Sequence, residues 1–352
     1  MSSVNSSNAS VFHTEEYRIQ QRLGVAERMD EQMKGFIRPF MPAQHRAFFC
    51  NSPFMMAGLV DSQGHPWAIP LWGDHTTVDD HHYIQSPSPT QLSLALDDNV
   101  TWLINDVALL DGNTGSKIAL LGLQLSTRRR NRLNGLIMHN RGGVIRVQVE
   151  QSYGNCPQYI HPRGTLHRDV APTLEASLST NSNTQYARSS ALTSKDALLI
   201  ARADTFYIAS RHHDFTDDPR HGLDVSHRGG KPGFIDVDES SLLFPDFSGN
   251  KFFNTLGNIE SDGRVGLCFV DDSNGDILFV NGKASILWSH PKLEGFAGAE
   301  RFVQVSIQDV TRVFSIYPFK HPIIERSIHT EHTGVWGYFQ CHHTYTTPSQ
   351  LD

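Results

Sequence analysis

Residues 206–237, FYIASRHHDFTDDPRHGLDVSHRGGKPGFIDV, read as an apolar strand, a polar excursion and a return through Gly-Lys-Pro-Gly-Phe-Ile. An earlier stretch, residues 54–71, FMMAGLVDSQGHPWAIPL, has the same plan: an apolar run, an Asp-x-x-Gly turn and a second apolar run, the signature of a β-hairpin. Its Gly-His-Pro-Trp-Ala-Ile stands where the later copy has Gly-Lys-Pro-Gly-Phe-Ile, which matches His65 to Lys231. Each copy then supplies an Asn-Gly expected to close a strand, in RRRNRLNG at Gly135 and DILFVNG at Gly282. A Val-Gln-Val strand follows each, in RVQVEQSYGNCPQYI and RFVQVSIQDVTRVFSIYPF. Landmarks repeated in one order, offset by roughly 150 residues, predict an internal duplication.

Working outward, a chain of 352 residues has room for two domains. Short, evenly spaced strands, many glycines and few helical periods predict a β-rich fold of two small barrels with a few flanking helices. The expected organisation is a polar tail and N-terminal helix (residues 1–40), a first barrel (41–163), a linker (164–196), a second barrel (197–325) and a C-terminal tail (326–352). The linker rests on GTLHRDVAPTLEASLSTNSNTQYARSSALTSK, rich in Ser, Thr and Asn with almost no apolar period. Thr14 before EEYRIQQRLGVAERMDEQMKGFI predicts a capped helix packed across a barrel.

The composition excludes several classes. A formal charge of −7 argues against wrapping a nucleic acid backbone, so basic residues should act locally. The longest apolar runs, such as DALLIARADTFYIAS and SKIALLGLQL, are too short to span a bilayer. MSSVNSSNAS lacks the basic start and apolar stretch of a secretory signal and reads as a polar tail. Cys50, Cys156, Cys268 and Cys341 lie far apart without C-x-x-C spacing, which fits a reducing, cytoplasmic setting.

Three elements suit an anion. In DVSHRGGKPGF, read as a loop, Ser226 offers a hydroxyl, Arg228 a planar fork of donors, and Gly229-Gly230 a backbone free to aim N–H groups. In FPDFSGNKFFNTLGN, Ser248 or Asn250 can cap a short helix whose first N–H groups face an anion, with Lys251 and Thr255 alongside. The bland alternative has Asn254, Thr255 and Asn258 merely capping and ending that helix, with Phe252, Phe253 and Leu256 in the core. In STRRRNRLNG, strand alternation places Arg128, Arg130 and Arg132 on one face about 7 Å apart, facing either an anion or open water.

These residues, with RVGLCFVD, DILFVNGKA and NCPQYI, resemble the pyridoxamine 5'-phosphate oxidase-like FMN-binding split-barrel family in a tandem form, over about residues 12–323. The resemblance implies two split barrels packed as an internal pseudo-dimer, with FMN where they meet. It implies cofactor contacts from Ser226, Arg228, Gly229, Lys231, Gly233, Phe234, Phe244, Pro245, Asn250, Lys251 and Thr255 of the second barrel and Arg130 and Arg132 of the first. The second copy offers only Ile277 and Phe279 in place of those arginines, and WGDHTTVDDHHYI in the first copy lacks the basic counterpart and carries acids. One flavin per chain is therefore expected. The implied activity is an FMN-dependent oxidoreductase acting on a small molecule with an unknown electron donor or acceptor, with Arg130 or Arg132 tuning the ring and no acid or base assigned. The alternative is a non-catalytic flavin- or haem-binding or storage protein. Either a monomer or a homodimer is compatible with it.

The remaining candidates have bland readings. His65 and His227 could donate protons but read as solvated loop histidines. Cys156 lacks a cationic sequence neighbour and reads as structural. His212, His213, Asp214 and His221 form a mixture able to bind a metal, but their spacing matches no zinc or iron pattern, so no metal is expected.

Overall fold

The computed structural model describes residues 10–74, 83–110, 112–168 and 185–337. Most of the acidic stretch after Gly73, the middle of the linker, Cys341 and the C-terminal tail beyond residue 337 lie outside the described residues.

Two antiparallel sheets dominate. The first is built from β1 (Met55–Val60), β2 (Pro66–Leu71), β3 (Ile84–Ser88), β4 (Gln91–Ala95), β5 (Lys117–Gln124), β6 (Arg129–Arg141) and β7 (Val144–Asn155), in the order β2-β1-β5-β6-β7-β4-β3. At the ends of the linker lie β8 (Leu166–His167) and β9 (Tyr186–Ser189). The second sheet comprises β10 (Thr205–Arg211), β11 (Leu223–Gly229), β12 (Asp236–Val237), β13 (Ser241–Phe247), β14 (Arg264–Val270), β15 (Ile277–Leu287) and β16 (Ala299–Val313). Its order, β11-β10-β14-β15-β16-β13-β12, repeats the first strand for strand, and β9 pairs with β16 as an addition. The described chain is thus a duplicated β-rich fold of two split barrels. β8 pairs with β17 (Phe319–Lys320), which ties the start of the linker to the end of the second barrel.

The repeat can be placed in register by its bulges. The two Asn-Gly pairs do not close strands: each sits inside a long strand at a β-bulge, Asn134-Gly135 in β6 and Asn281-Gly282 in β15. A Cβ at Gly135 would fall 2.0 Å from the Gln148 carbonyl oxygen, and one at Gly282 would fall 2.2 Å from that of Ser306, so glycine is required in both. From this anchor, Val147 corresponds to Val305, and the two Val-Gln-Val triplets are two residues out of step. The Gly-x-Pro match also fails. Gly64-His65-Pro66 makes the β1–β2 turn, where Asp61 Oδ1 accepts the Gln63 and His65 N–H groups, whereas Gly230-Lys231-Pro232 follows the end of β11.

The two barrels pack reciprocally. β2 packs on β10 and β14, and its counterpart β11 packs on β1 and β5, which is the contact pattern of a twofold-related dimer inside one chain. Because one face meets its own barrel and the other meets the partner barrel, every residue of β1 and β2 is buried and both read as continuous apolar runs. Small residues allow the approach: Gly58 pairs with Ala119 and, at the equivalent place, Ala209 pairs with Gly266. A Cβ on Gly266 would lie 2.0 Å from the Pro66 carbonyl oxygen across the junction. The apolar core of the first barrel accordingly runs on into Tyr207, Val225 and Phe279 of the second.

The N-terminal segment forms two helices, α1 (Thr14–Arg22) and α2 (Ala26–Met33), broken where Gly24 takes φ +67°. The cap is His13, not Thr14: its ring nitrogen accepts the Glu15 N–H while Glu16 accepts the His13 N–H. After α3 (Ala43–Cys50), α4 (Asp98–Trp102) and α5 (Ser194–Arg202), α6 (Asn254–Ser261) lies between β13 and β14, and α1 packs against it.

Candidate functional site

The stretch quoted as a loop is mostly strand: β11 runs through Gly229, so Asp224, Ser226 and Arg228 alternate onto one face. From the first barrel, β6 brings Arg130 and Arg132 to that face, while Arg128 stays outside the strand with φ +60°. The turn from β13 to α6 supplies the third wall, Asp246 to Thr255. There Lys251 and Phe253, both non-glycine, take left-handed φ of +64° and +62°, a strained conformation that aims side chains inward. A cavity of ≈ 100 Å³ lies between these walls.

Ten of the expected residues line it: Arg130, Arg132, Ser226, Arg228, Gly229, Phe234, Pro245, Asn250, Lys251 and Thr255. Lys231, Gly233 and Phe244 do not: Phe244 of β13 is buried in the core of the second barrel, and Gly233 spends its N–H on the Ala201 carbonyl. The Gly229-Gly230 backbone is not aimed at an anion either. The Gly230 N–H is donated to the Asp204 carbonyl, and a Cβ on Gly229 would meet the Tyr159 carbonyl oxygen at 2.2 Å. These glycines serve close packing. Neither Ser248 nor Asn250 caps α6, whose N-cap is Phe253 without a side-chain bond; Asn250 Oδ1 instead accepts the Phe252 N–H at 3.2 Å.

At the centre lies a buried polar cluster. Arg132 donates to Asn254 Oδ1 (2.7 Å) and to Ser226 Oγ, and pairs with Asp224 at 2.5 Å. Asp224 Oδ2 also accepts Ser226 Oγ–H at 2.9 Å and Thr255 Oγ1–H at 2.8 Å. Asn254 continues the network to Glu16 at 2.6 Å, where burial raises the carboxyl pKa. Asn254 and Thr255 are therefore network members and not merely helix caps, while Asn258 donates separately to Ser210 Oγ at 3.2 Å.

The cations of the cleft are mostly matched. Arg228 pairs with Asp246 at 2.6 Å, Lys251 with Glu300 at 2.7 Å, and Arg132 with Asp224. Arg130 is the exception: among the described residues no carboxylate lies within ion-pair reach of it, and its Nε donates to the Cys156 carbonyl at 2.8 Å. Burial, then the neighbouring Arg132 and Arg228 guanidiniums, lower its pKa to about 9. Arg132 Nε and Arg228 Nε are buried without hydrogen-bond partners. Sequence reading missed the carboxylates Asp224, Asp246 and Glu300. Asp224 was findable, because it shares the i, i+2, i+4 face of Ser226 and Arg228 once the stretch is read as a strand.

The pseudo-equivalent place on the other side of the junction has opposite chemistry. The strand registers match Trp67 to Asp224, Ile69 to Ser226, Leu71 to Arg228, and Phe279 to Arg132. Where Arg132 meets Asp224, the twofold counterpart is Phe279 against Trp67, with ring centroids 5.4 Å apart. That side is an apolar core.

Beyond His227 lies a larger cavity of ≈ 530 Å³, with His161, Tyr207, Tyr317 and His321 in its walls and Leu125, Ile160 and Val270 beside them. His227 borders both cavities; burial and then Arg130 push its pKa well down, so it is neutral at pH 7, and its Nδ1 has no hydrogen-bond partner. Cys156 is unpaired, as are Cys50 and Cys268. Among the described residues no helix is long and apolar enough to cross a membrane.

No protein-family description matches the sequence, and no curated protein does. Among solved structures, the chain is similar to a putative pyridoxamine 5'-phosphate oxidase from Lactobacillus delbrueckii, at 17% identity and TM-score 0.28 over 36% of this chain and 98% of that one. It is similar to HupZ of Group A Streptococcus, at 12% identity and TM-score 0.28 over 34% and 98%. It is also similar to an FAD binding protein of Mycobacterium smegmatis, at 16% identity and TM-score 0.23 over 36% and 99%. Each of these overlaps takes in about a third of this chain and nearly all of its counterpart.

Proposed function

We propose that the chain binds one FMN at the junction of its two barrels and acts as an oxidoreductase on a small molecule. The observation that carries this reading is Arg130: a guanidinium without a carboxylate partner, beside two further arginines, in a cleft whose other cations are matched. A phosphate dianion supplies the missing charge, and the buried, uncommitted Nε atoms of Arg132 and Arg228 give it further donors. Arg130, Arg132, Arg228, Ser226, Asn250, Lys251 and Thr255 would hold the phosphorylated end. The larger cavity beyond His227 falls within the usual size range of small-molecule sites and can receive a ring system or the substrate.

FMN, when bound, supplies the hydride and electron transfer. The chain's own residues contribute position and charge. Arg130 and Arg132 place positive charge at the junction, which stabilises an anionic partner. His227 stays neutral, because burial and then Arg130 disfavour its protonated form, and its Nδ1 is without a hydrogen-bond partner. Tyr207 and Tyr317, buried in the larger cavity, keep protonated phenols, since burial raises both far from neutrality.

A haem-holding reading needs an imidazole lone pair facing the larger cavity. His161 Nδ1 accepts the Ser327 N–H at 2.9 Å, so its proton sits on Nε2, and His321 bonds at both nitrogens. Neither is free, but His227, which borders the same cavity, has an unpartnered Nδ1, so a Soret band in place of a flavin spectrum in the loaded chain would decide for haem. The test is FMN titration of Arg130→Ala against the parent. Removing one charge-assisted contact costs about 1.5–3 kcal/mol, or roughly 10- to 150-fold in affinity. Unchanged FMN affinity would remove Arg130 from the site.

A further inference from the structure

The loop before β11 carries His212, His213 and His221, and the fold brings the N-terminal helix against it. His212 and His221 stack face to face at 4.1 Å, and His13 meets His212 edge-on at 5.1 Å. The sequence spacing within the loop matches no metal pattern because the remaining ligands lie two hundred residues earlier, on the first turn of α1.

His13, Glu15 and His212 each offer a ligand atom, and these atoms lie within 4.8 Å of one another. Glu15 Oε2 stands 3.1 Å from His13 Nδ1 and 3.5 Å from His212 Nε2. Ligand atoms around a tetrahedral ion at the zinc–nitrogen distance are about 3.4 Å apart, so these spacings suit one ion between them.

Proton placement strengthens the case. His212 Nδ1 lies 2.9 Å from the Asp214 carbonyl oxygen, which can only accept, with the Asp214 N–H farther off at 3.2 Å. The His212 proton is therefore on Nδ1, and the Nε2 lone pair faces a carboxylate oxygen. His13 Nδ1 has one lone pair, which caps the Glu15 N–H at 3.3 Å and lies 3.1 Å from Glu15 Oε2, so a cation at this place takes that lone pair over from the cap. His13 and His212 are each 3% exposed, so both rings meet the carboxylate out of water. The outer nitrogens also fit: His13 Nε2 faces Glu16 Oε1 at 3.6 Å, and His212 Nδ1 bonds a carbonyl, which is how metal-bound imidazoles are oriented.

We infer that His13, Glu15 and His212 form a binding site for a first-row divalent cation of the zinc class, which fastens the N-terminal helix to the second barrel. Two imidazoles and one carboxylate leave a fourth position for water. The next residue, Glu16, bonds Asn254, which in turn holds Arg132, so the cation anchors the wall behind the cleft.

The test uses the untagged full chain, stripped with EDTA and titrated with Co²⁺ as a visible probe. One equivalent per chain with tetrahedral absorption bands, displaced by Zn²⁺, is expected. Glu15→Gln and His212→Ala should each abolish those bands, while His221→Ala, which removes a stacking ring but no ligand, should keep them. Glu15→Gln is nearly isosteric, and circular dichroism checks that it folds; it decides the matter alone should His212→Ala fail to fold. Absence of Co²⁺ uptake by the parent chain, or undiminished uptake in Glu15→Gln, overturns the inference.

Discussion

Replacing Arg132 by methionine removes the cation from the centre of the cleft and leaves Asp224, 2% exposed, with only the hydroxyls of Ser226 and Thr255. Arg132 itself is 5% exposed, so solvent screens neither partner. Stranding one charge of a buried pair costs about 3–5 kcal/mol, several times the value of a surface pair. Removing both charges is far cheaper, because the desolvation cost of each disappears with it. Arg132→Met should therefore lower the urea midpoint of the cofactor-free protein by an amount equivalent to about 3–5 kcal/mol at unchanged slope. The double variant Arg132→Met/Asp224→Asn should recover about 2 kcal/mol or more of that loss. The twofold counterpart, Phe279 on Trp67, shows that the fold tolerates an uncharged pair at this position. A cost below about 1 kcal/mol for Arg132→Met would mean that water reaches Asp224 and that the cluster is an open surface pair.

Two further predictions follow from the junction. Arg130 must be charged to attract a phosphate, and its pKa in the free protein is about 9; FMN affinity should be flat from about pH 7, where the phosphate is a dianion, to pH 9 and fall by up to about tenfold per unit above it. The same titration in Arg130→Gln should lack that break, and a parent profile flat to pH 10 would refute the role. Gly266→Ala places a methyl 2.0 Å from the Pro66 carbonyl oxygen of the other barrel, and should destabilise the chain by about 1–3 kcal/mol and weaken FMN binding. Gly249→Ala, with nothing within 4 Å, should leave thermal stability unchanged. Equal effects of the two would contradict the close approach.

Much of the fold was legible because it is said twice: two Asn-Gly pairs, which mark bulges inside long strands, and apolar runs without polar alternation where strands are covered on both faces. What misled was local chemistry shared by different structures. Gly-x-Pro suits both the β1–β2 turn and the end of β11, so it aligned the copies wrongly, whereas the bulge glycines align them correctly. Arg130 and Arg132 were legible as a pair facing one way, and Phe279 and Ile277 as their apolar counterparts. The carboxylates that match the other cations were not. Asp246 on β13 meets Arg228 on β11, and Glu300 on β16 meets Lys251 beyond the end of β13, long-range contacts that local patterns do not encode. The histidine cluster was hidden in the same way, with its ligands on α1 and on a loop two hundred residues away.

The most direct measurement is the stoichiometry of FMN bound at saturation, read by quenching of flavin fluorescence. The junction has one polar side, around Arg130, Arg132 and Arg228, and one apolar side, around Trp67 and Phe279, which predicts one FMN per chain. Two per chain, or none, would contradict it.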